Sequence, residues 1–251
     1  MSSKAQTIIQ KTQQDYNTIA KHFSKSRNFV RPELAEFQKL IKDNKVILDW
    51  GCGNGNLSIL INDKKVDYHG VDQSRELLKI APDIFKNNAP NAKTNFYCTA
   101  KQDKDFPVEY FDLVFMVASF HHLPDYKTRL DLLKKVYKEM KVGAKLIITV
   151  WNLESDWAKE KLKKEKWEKT GEHDYLVPWK DQQGKLITKR YYHSFSKEEL
   201  DNLLQEAGYE ILQSSYYNKI LKSNYNQTEV DDYDSSQAMS KAMNLVVLAQ
   251  K

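Results

Sequence analysis

The chain has 251 residues, 41% hydrophobic and 29% charged, with a formal net charge of +5. That length buries a substantial core in one domain, and no apolar run approaches the roughly 20 residues that span a bilayer. Cys52 and Cys98 stand far apart without C-x-x-C spacing, which argues against a disulfide framework and against a cysteine zinc site.

The first residues, M-S-S-K-A-Q-T, lack the apolar core of a signal peptide. A cytoplasmic protein with no membrane segment and no metal is expected. The positive charge permits a polyanionic partner without requiring one. Residues 5–23 place Ile8, Ile9, Thr12, Tyr16, Ile19, Ala20 and Phe23 at helical spacing. A second helix is predicted over 32–42, with Pro32 at a tolerated first-turn position and Leu34, Phe37, Leu40 and Ile41 inward.

Residues 46–57 read V-I-L-D-W-G-C-G-N-G-N-L. Three of only eight glycines, Gly51, Gly53 and Gly55, fall within five residues there. A β-branched run precedes them and the apolar pattern of Leu57, Leu60 and Ile61 follows. Strand, glycine turn and helix in that order let the backbone approach a ligand closely. A second strand, 67–71, ends at Asp72, where a carboxylate can accept both hydroxyls of a ribose. A dinucleotide needs G-x-G-x-x-G to seat its pyrophosphate. Here the spacing is G-x-G-x-G, and Asp49 just ahead of it repels a pyrophosphate but attracts an ammonium group.

Further along, helices are predicted over 55–63, 74–80 and 125–141, with Ser74 and Asp125 as N-caps and Gly143 past the last helix. Strands are predicted over 95–99, 111–118 and 145–151. This alternation points to a parallel sheet covered by helices on both faces. Residues 155–170 read as a charged helix and 171–193 as a loop-rich insertion. Ser196 and Glu199 form a capping box for a helix that Gly208 ends. Strands 209–215 and 244–249 are expected to close the sheet as an antiparallel hairpin, and the polar stretch 218–243 is expected to be a flexible loop.

D-W-G-C-G-N-G resembles motif I of class I S-adenosylmethionine-dependent methyltransferases. The resemblance implies an α/β, Rossmann-like fold: a mostly parallel seven-stranded sheet with an antiparallel C-terminal hairpin. One domain is expected over 1–251, with N-terminal helices at 5–42 and a substrate-side insertion at 152–195. The cofactor implied is S-adenosylmethionine, held by Asp49, Gly51, Gly53, Gly55 and Asp72, with Gln73 and Ala118 at neighbouring strand ends.

Three further segments narrow the family: Y-N-T-I-A-K-H-F-S-K-S-R over 16–27; S-F-H-H-L-P over 119–124 with V-W-N over 150–152; and D-Y-L-V-P-W-K over 174–180 followed by K-R-Y-Y-H-S-F over 189–195. Together they resemble the tRNA wobble-uridine carboxymethyl methyltransferases across about residues 14–216 and again 244–251. Ser26 stands where that family has threonine, the turn after Gly143 lacks its proline-glycine-glycine form, and 218–243 exceeds its short hairpin.

The resemblance implies tRNA as partner, methylation of the carboxylate of 5-carboxymethyluridine, and a small zinc-binding activator subunit. A free carboxyl is ionised at neutral pH, its pKa being about 4, so the task is to position it rather than to deprotonate it. Arg27 and Arg190 are candidates to hold it, since a guanidinium stays charged and offers a planar pair of donors. His121 or His193 adds a hydrogen bond, and Trp151 offers a stacking face for uracil. Arg27 has a second reading as partner of the cofactor's own carboxylate, and Arg190 is expected to be partly exposed. A small-molecule methyltransferase acting on an organic acid or a quinone precursor is the alternative function.

Overall fold

The computed structural model describes residues 2–27, 29, 31–100, 104–164, 167–217 and 240–251. The chain opens with a 24-residue helix, α1 (Ser3–Ser26), capped by the Ser2 hydroxyl, which accepts from the Ala5 N–H. The segment Pro32–Leu40 winds as a 3₁₀ helix rather than the predicted α-helix. Five strands follow with their helices: β1 (Val46–Trp50), the single turn α2 (Ser58–Ile61), β2 (Asp67–Asp72), α3 (Arg75–Asn88), β3 (Lys93–Cys98), β4 (Phe111–Val117), α4 (Tyr126–Glu139) and β5 (Met140–Trp151). Next come α5 (Asp156–Lys164), β6 (Glu168–Lys169), β7 (Asp174–Lys180), β8 (Leu186–His193), α6 (Lys197–Glu206), β9 (Glu210–Tyr217) and β10 (Asn244–Gln250).

Seven strands join in the order β3-β2-β1-β4-β5-β10-β9. The first five run parallel, and β10 pairs antiparallel with both β5 and β9. Strand order reverses between β1 and β4, and the crevice beyond the carboxyl ends of those strands is where open α/β sheets bind ligands.

The central strands are apolar almost throughout because both faces are covered. Ile47, Leu113, Phe115 and Ile147 pack with Leu34, Phe37, Ile61 and Phe85. Their neighbours Leu48, Val114, Met116, Leu146 and Ile148 point the other way, against Leu133 and Val136 of α4 and Leu200, Leu203 and Leu204 of α6.

Several expectations need correction. The helix predicted over 55–63 shrinks to α2, because the turn through Gly55 uses up its first residues. Helix α3 does not stop before Pro82 but continues to Asn88, its buried stripe of Leu77, Ala81 and Phe85 outweighing the lost hydrogen bond. Gly143 lies inside β5 at φ +79°, because the chain passes from α4 into the strand without a turn.

The largest difference is at 171–193, which is not loop-rich. β6, β7 and β8 form a separate three-stranded antiparallel sheet. Tyr175, Val177 and Tyr192 turn inward there onto Leu153, Ala158 and Trp167, a third small core. The charged helix before it ends at Lys164. Residues 218–239, within the expected flexible loop, lie outside the described residues.

Helix α1 lies against α3 and β8. Asn17 Oδ1 accepts from the Ser74 hydroxyl (2.9 Å) and the Glu76 N–H (3.2 Å). The Trp179 indole N–H donates to His22 Nδ1 at 3.0 Å. Trp179, in the expected insertion, therefore ties β7 to α1, and α1 is held over the crevice from both sides.

Candidate functional site

At the end of β1 the chain turns through Gly51 (φ +80°), Gly53 (φ +55°) and Gly55 (φ +79°). The Gly51 and Cys52 N–H groups both donate to Val71 O, at 2.7 and 3.1 Å, which pins the turn to β2. A Cβ on Gly51 would sit 2.3 Å from Ser119 Cβ. Gly51→Ala is therefore expected to destabilise the fold by about 2–4 kcal/mol, from overpacking plus a disfavoured φ, and to abolish cofactor binding. Thermal melting and calorimetry check both effects.

The Gly53 N–H donates to Asp72 Oδ2 (2.8 Å) and the Ser74 N–H to Oδ1 (2.7 Å). Burial raises the Asp72 pKa against the pull of these backbone bonds. Asp49 is 3% exposed and accepts from the Tyr68 hydroxyl at 2.7 Å. Burial, and then the nearby Asp72 carboxylate, push its pKa up to about 7 against that hydrogen bond. No Lys, Arg or His forms an ion pair with Asp49 among the described residues. A buried carboxylate without a cation, beside a turn whose Gly53 leaves open backbone, fits a cofactor that carries an ammonium group and a ribose. Gln73 and Ala118 line the same cleft, Ala118 in the left-handed region at φ +50° with its N–H donating to Thr149 O.

Past Trp50 and Ser119 the cleft continues to Arg27, Arg31, His121, His122, Trp151, Arg190 and Tyr192. Arg190 is only 3% exposed, not partly exposed as the sequence suggested. It also lines the same cleft as the glycine turn, because β8 crosses over that end of the sheet. Its Nη1 donates to the Tyr16 hydroxyl at 3.2 Å, and its guanidinium carbon lies 4.7 Å from the Trp179 ring centre, 5.2 Å from Tyr192 and 5.6 Å from Tyr16. Burial opposes its charge, but Tyr192 and Tyr16 hold its pKa above the ordinary arginine value. Its Nε has no hydrogen-bond partner, and it makes no ion pair among the described residues. Arg27 is half-buried, with its guanidinium 5.7 Å from the Phe23 ring centre. Burial, with Arg31 and Arg190 near, lowers its pKa from the usual arginine value.

His193 does not line the cleft. Its Nδ1 lies 2.8 Å from Asp174 and its Nε2 3.0 Å from Glu199, while Glu199 also pairs with Arg129 at 3.1 Å. The final residue of β8 is thereby clamped to α6 and α4, a structural position rather than the substrate contact expected. Trp151 stacks on Tyr192, with ring centres 5.0 Å apart.

Sequence reasoning gave no role to Tyr16, Tyr68, Arg31 or Tyr192, all of which touch the site or its carboxylates. Tyr16 opened a quoted motif, and Arg31 sits four residues after Arg27. Tyr68 carried no signal, because its value lies only in which strand neighbour it reaches.

Residues 22–214 match the methyltransferase domain family. The chain is 28% identical to the Schizosaccharomyces pombe tRNA (carboxymethyluridine(34)-5-O)-methyltransferase, over 81% of this chain and 90% of that one. It is 26% identical to the Xenopus tropicalis tRNA (carboxymethyluridine(34)-5-O)-methyltransferase alkbh8, over 81% of this chain but 38% of that longer one. Among solved structures, a SAM-dependent methyltransferase from Methanosarcina mazei shares the fold at a TM-score of 0.61 and 21% identity, over 88% of this chain and 98% of that one. A methyltransferase from the complex with the Haloferax volcanii Trm112 methyltransferase activator superposes with a TM-score of 0.62 at 13% identity, over 95% and 96%.

Among the described residues no helix is long and apolar enough to cross a membrane, and no group of three or more His, Cys, Asp or Glu is placed to hold a metal ion. The fold, the glycine turn between the buried Asp49 and the half-buried Asp72 and the match over residues 22–214 agree: the chain belongs to the methyltransferase domain family, as an S-adenosylmethionine-dependent enzyme of class I fold.

Proposed function

We propose that this enzyme methylates the carboxylate of 5-carboxymethyluridine at the wobble position of tRNA. The observation that carries the reading is Arg190: a buried guanidinium in the cleft, with an unpartnered Nε and no acidic neighbour paired to it. Such a charge is costly unless an anion joins it, and a substrate carboxylate is an anion of the right shape. The curated relatives, named for this activity, support the substrate.

Bound at the glycine turn, S-adenosylmethionine supplies the electrophilic methyl group. The side chains of this protein would then do three things. Arg190 holds the carboxylate, with one oxygen left free to approach the methyl at roughly 3–3.5 Å. Trp151, backed by Tyr192, offers its face to the uracil ring. Arg27 and Arg31 add positive charge where the cleft opens, toward either the cofactor's carboxylate or the tRNA backbone.

A small zinc-binding activator is proposed as partner on the family resemblance, and the Haloferax volcanii methyltransferase was solved with an activator. The cytoplasm, where such a tRNA substrate is found, is the proposed compartment. Purified enzyme, alone and with such an activator, would be offered tRNA bearing 5-carboxymethyluridine, the same tRNA with plain uridine, and small organic acids. Methyl transfer to the first alone is expected. Equal transfer to the plain-uridine tRNA would reject carboxyl chemistry, and preference for the small acids would reject tRNA.

A further inference from the structure

His121 lines the cleft, is fully buried, and has one nitrogen occupied and one not. Its Nδ1 lies 3.2 Å from the backbone nitrogen of Trp151, which donates to it. A peptide N–H can only donate, so Nδ1 presents its lone pair. A neutral imidazole has one donor and one acceptor nitrogen, so the proton of His121 resides on Nε2. That atom is buried and has no partner. Burial, reinforced by His122 and Arg190, keeps the ring neutral.

The same reasoning fixes His122. Its Nδ1 lies 2.7 Å from the Tyr191 carbonyl, which can only accept, so Nδ1 carries the proton. Its Nε2 is then the acceptor, at 2.8 Å, of the Tyr16 hydroxyl. Tyr16 in turn accepts from Arg190. Each of these groups has its direction set, and neither imidazole retains a free lone pair. The carboxylates of the cleft, Asp49 and Asp72, sit at the glycine turn, engaged by Tyr68 and by the Gly53 and Ser74 N–H groups respectively.

We infer that the Nε2–H of His121 is a receptor donor for an oxyanion of the substrate, which the Arg190 charge lining the same cleft attracts, and that the histidines of this cleft cannot deprotonate a neutral nucleophile. This deepens the carboxylate reading above and rests on it for the identity of the substrate. It assigns His121 to binding and specificity, not to base catalysis. The site accepts a nucleophile that is already ionised and rejects a hydroxyl that must first lose a proton.

The charged or titratable groups around His121 are His122 on its own turn, Arg190, Tyr192 and His193 from β8, and Arg31 ahead of the 3₁₀ segment. None supplies a carboxylate to raise its pKa. Turnover of the wild type is accordingly expected to stay flat between about pH 6.5 and 9 with respect to this residue.

The tautomer is read directly from long-range proton–nitrogen correlation spectra of histidine-labelled wild-type protein, which has six histidines. Expected are neutral His121 protonated on Nε2 and neutral His122 protonated on Nδ1. Acetate, titrated as the simplest carboxylate, is expected to shift the His121 Nε2–H resonance. The opposite tautomer, an imidazolium at neutral pH, or indifference to acetate overturns the proposal.

In activity assays, tRNA bearing 5-hydroxymethyluridine, a neutral hydroxyl in place of the carboxylate, should not be methylated. Comparable rates with it would also overturn the proposal. His121→Phe should lower kcat/KM by about 10²-fold, the usual cost of one lost oxyanion donor. His121→Gln, which keeps an N–H near the Nε2 position, should recover most of that loss. An acidic limb in the wild-type pH profile that vanishes in His121→Phe would make the residue a base. Should 5-carboxymethyluridine tRNA prove inert while the tautomer and the acetate response are as expected, the substrate assignment fails and the receptor stands.

Discussion

Arg190→Met is expected to cut turnover by about 10²–10³-fold, the range for removing an oxyanion donor, while leaving the melting temperature at or above wild type. The second half runs against the usual cost of emptying a buried site. Arg190 carries a charge into an almost fully buried position without an ion pair among the described residues, and taking such a charge out of water costs several kcal/mol. What offsets this is one hydrogen bond to Tyr16, three aromatic faces, Trp179, Tyr192 and Tyr16, and the field of the buried Asp15 carboxylate. Each face contributes about 0.5–2 kcal/mol. Methionine fills similar volume, keeps the aromatic contacts through its sulfur, and removes the desolvation cost. Arg190→Lys should fare worse in stability than Arg190→Met, because an ammonium is more strongly hydrated and cannot offer the planar fork. Differential scanning calorimetry and steady-state kinetics on both variants test this. A stable lysine variant beside a strongly destabilised methionine variant would make the charge a structural element of the native fold rather than one held ready for a ligand.

Residues close in sequence were the legible ones. Asp49, Gly51 and Gly53 are separated by only a few peptide units, and their spacing alone specifies a strand, a turn and a carboxylate. Asp72 is one strand away, and parallel neighbours in an alternating α/β pattern have few other places to go. The region 171–193 forms strands where the sequence suggests a loop because it packs on a small core of its own that includes Trp167 and Leu153, and because residues 190–193 are buried on both faces of β8. Tyr175 and Val177 alternate as in a strand, but Pro178 directly after them breaks the pattern and in isolation reads as loop composition. The exposure of Arg190 was misjudged for the same reason: burial there comes from α1, which is 174 residues away at Tyr16. His193 shared a motif with Arg190 yet serves a different purpose, since three residues along a strand reverse the face and the reach. Local pattern names the residue types a site needs. Which of them meet depends on contacts that no spacing encodes.

Affinity for S-adenosylmethionine is expected to fall about tenfold between pH 8 and pH 6, and Asp49 is the group responsible. Burial, and then the charge of Asp72, raise its pKa to about 7 in the free enzyme, despite the Tyr68 hydrogen bond. A cationic ammonium beside it requires the ionised form, so below pH 7 binding must first expel a proton, and the cost grows by about a factor of ten per pH unit. The sign for stability is the opposite. With a folded pKa above the unfolded value of about 4, the proton on Asp49 contributes stability to the free enzyme that is present at low pH and lost as pH rises through 7. His122 runs against it: burial lowers its pKa to about 3, so its contribution is present above about pH 6.5 and lost as pH falls toward 3. The Asp49 contribution is therefore read as the difference between wild type and Asp49→Asn. Calorimetry in buffers of different ionisation enthalpy should show release of nearly one proton per bound cofactor at pH 6 and almost none at pH 8. Asp49→Asn should bind more weakly at pH 8, by at least about tenfold for a lost charged partner, and its affinity should no longer change with pH. Equal affinities at pH 6 and pH 8 in the wild type would remove Asp49 from the cofactor's ammonium and leave Asp72 as the acid at the glycine turn that the cofactor uses.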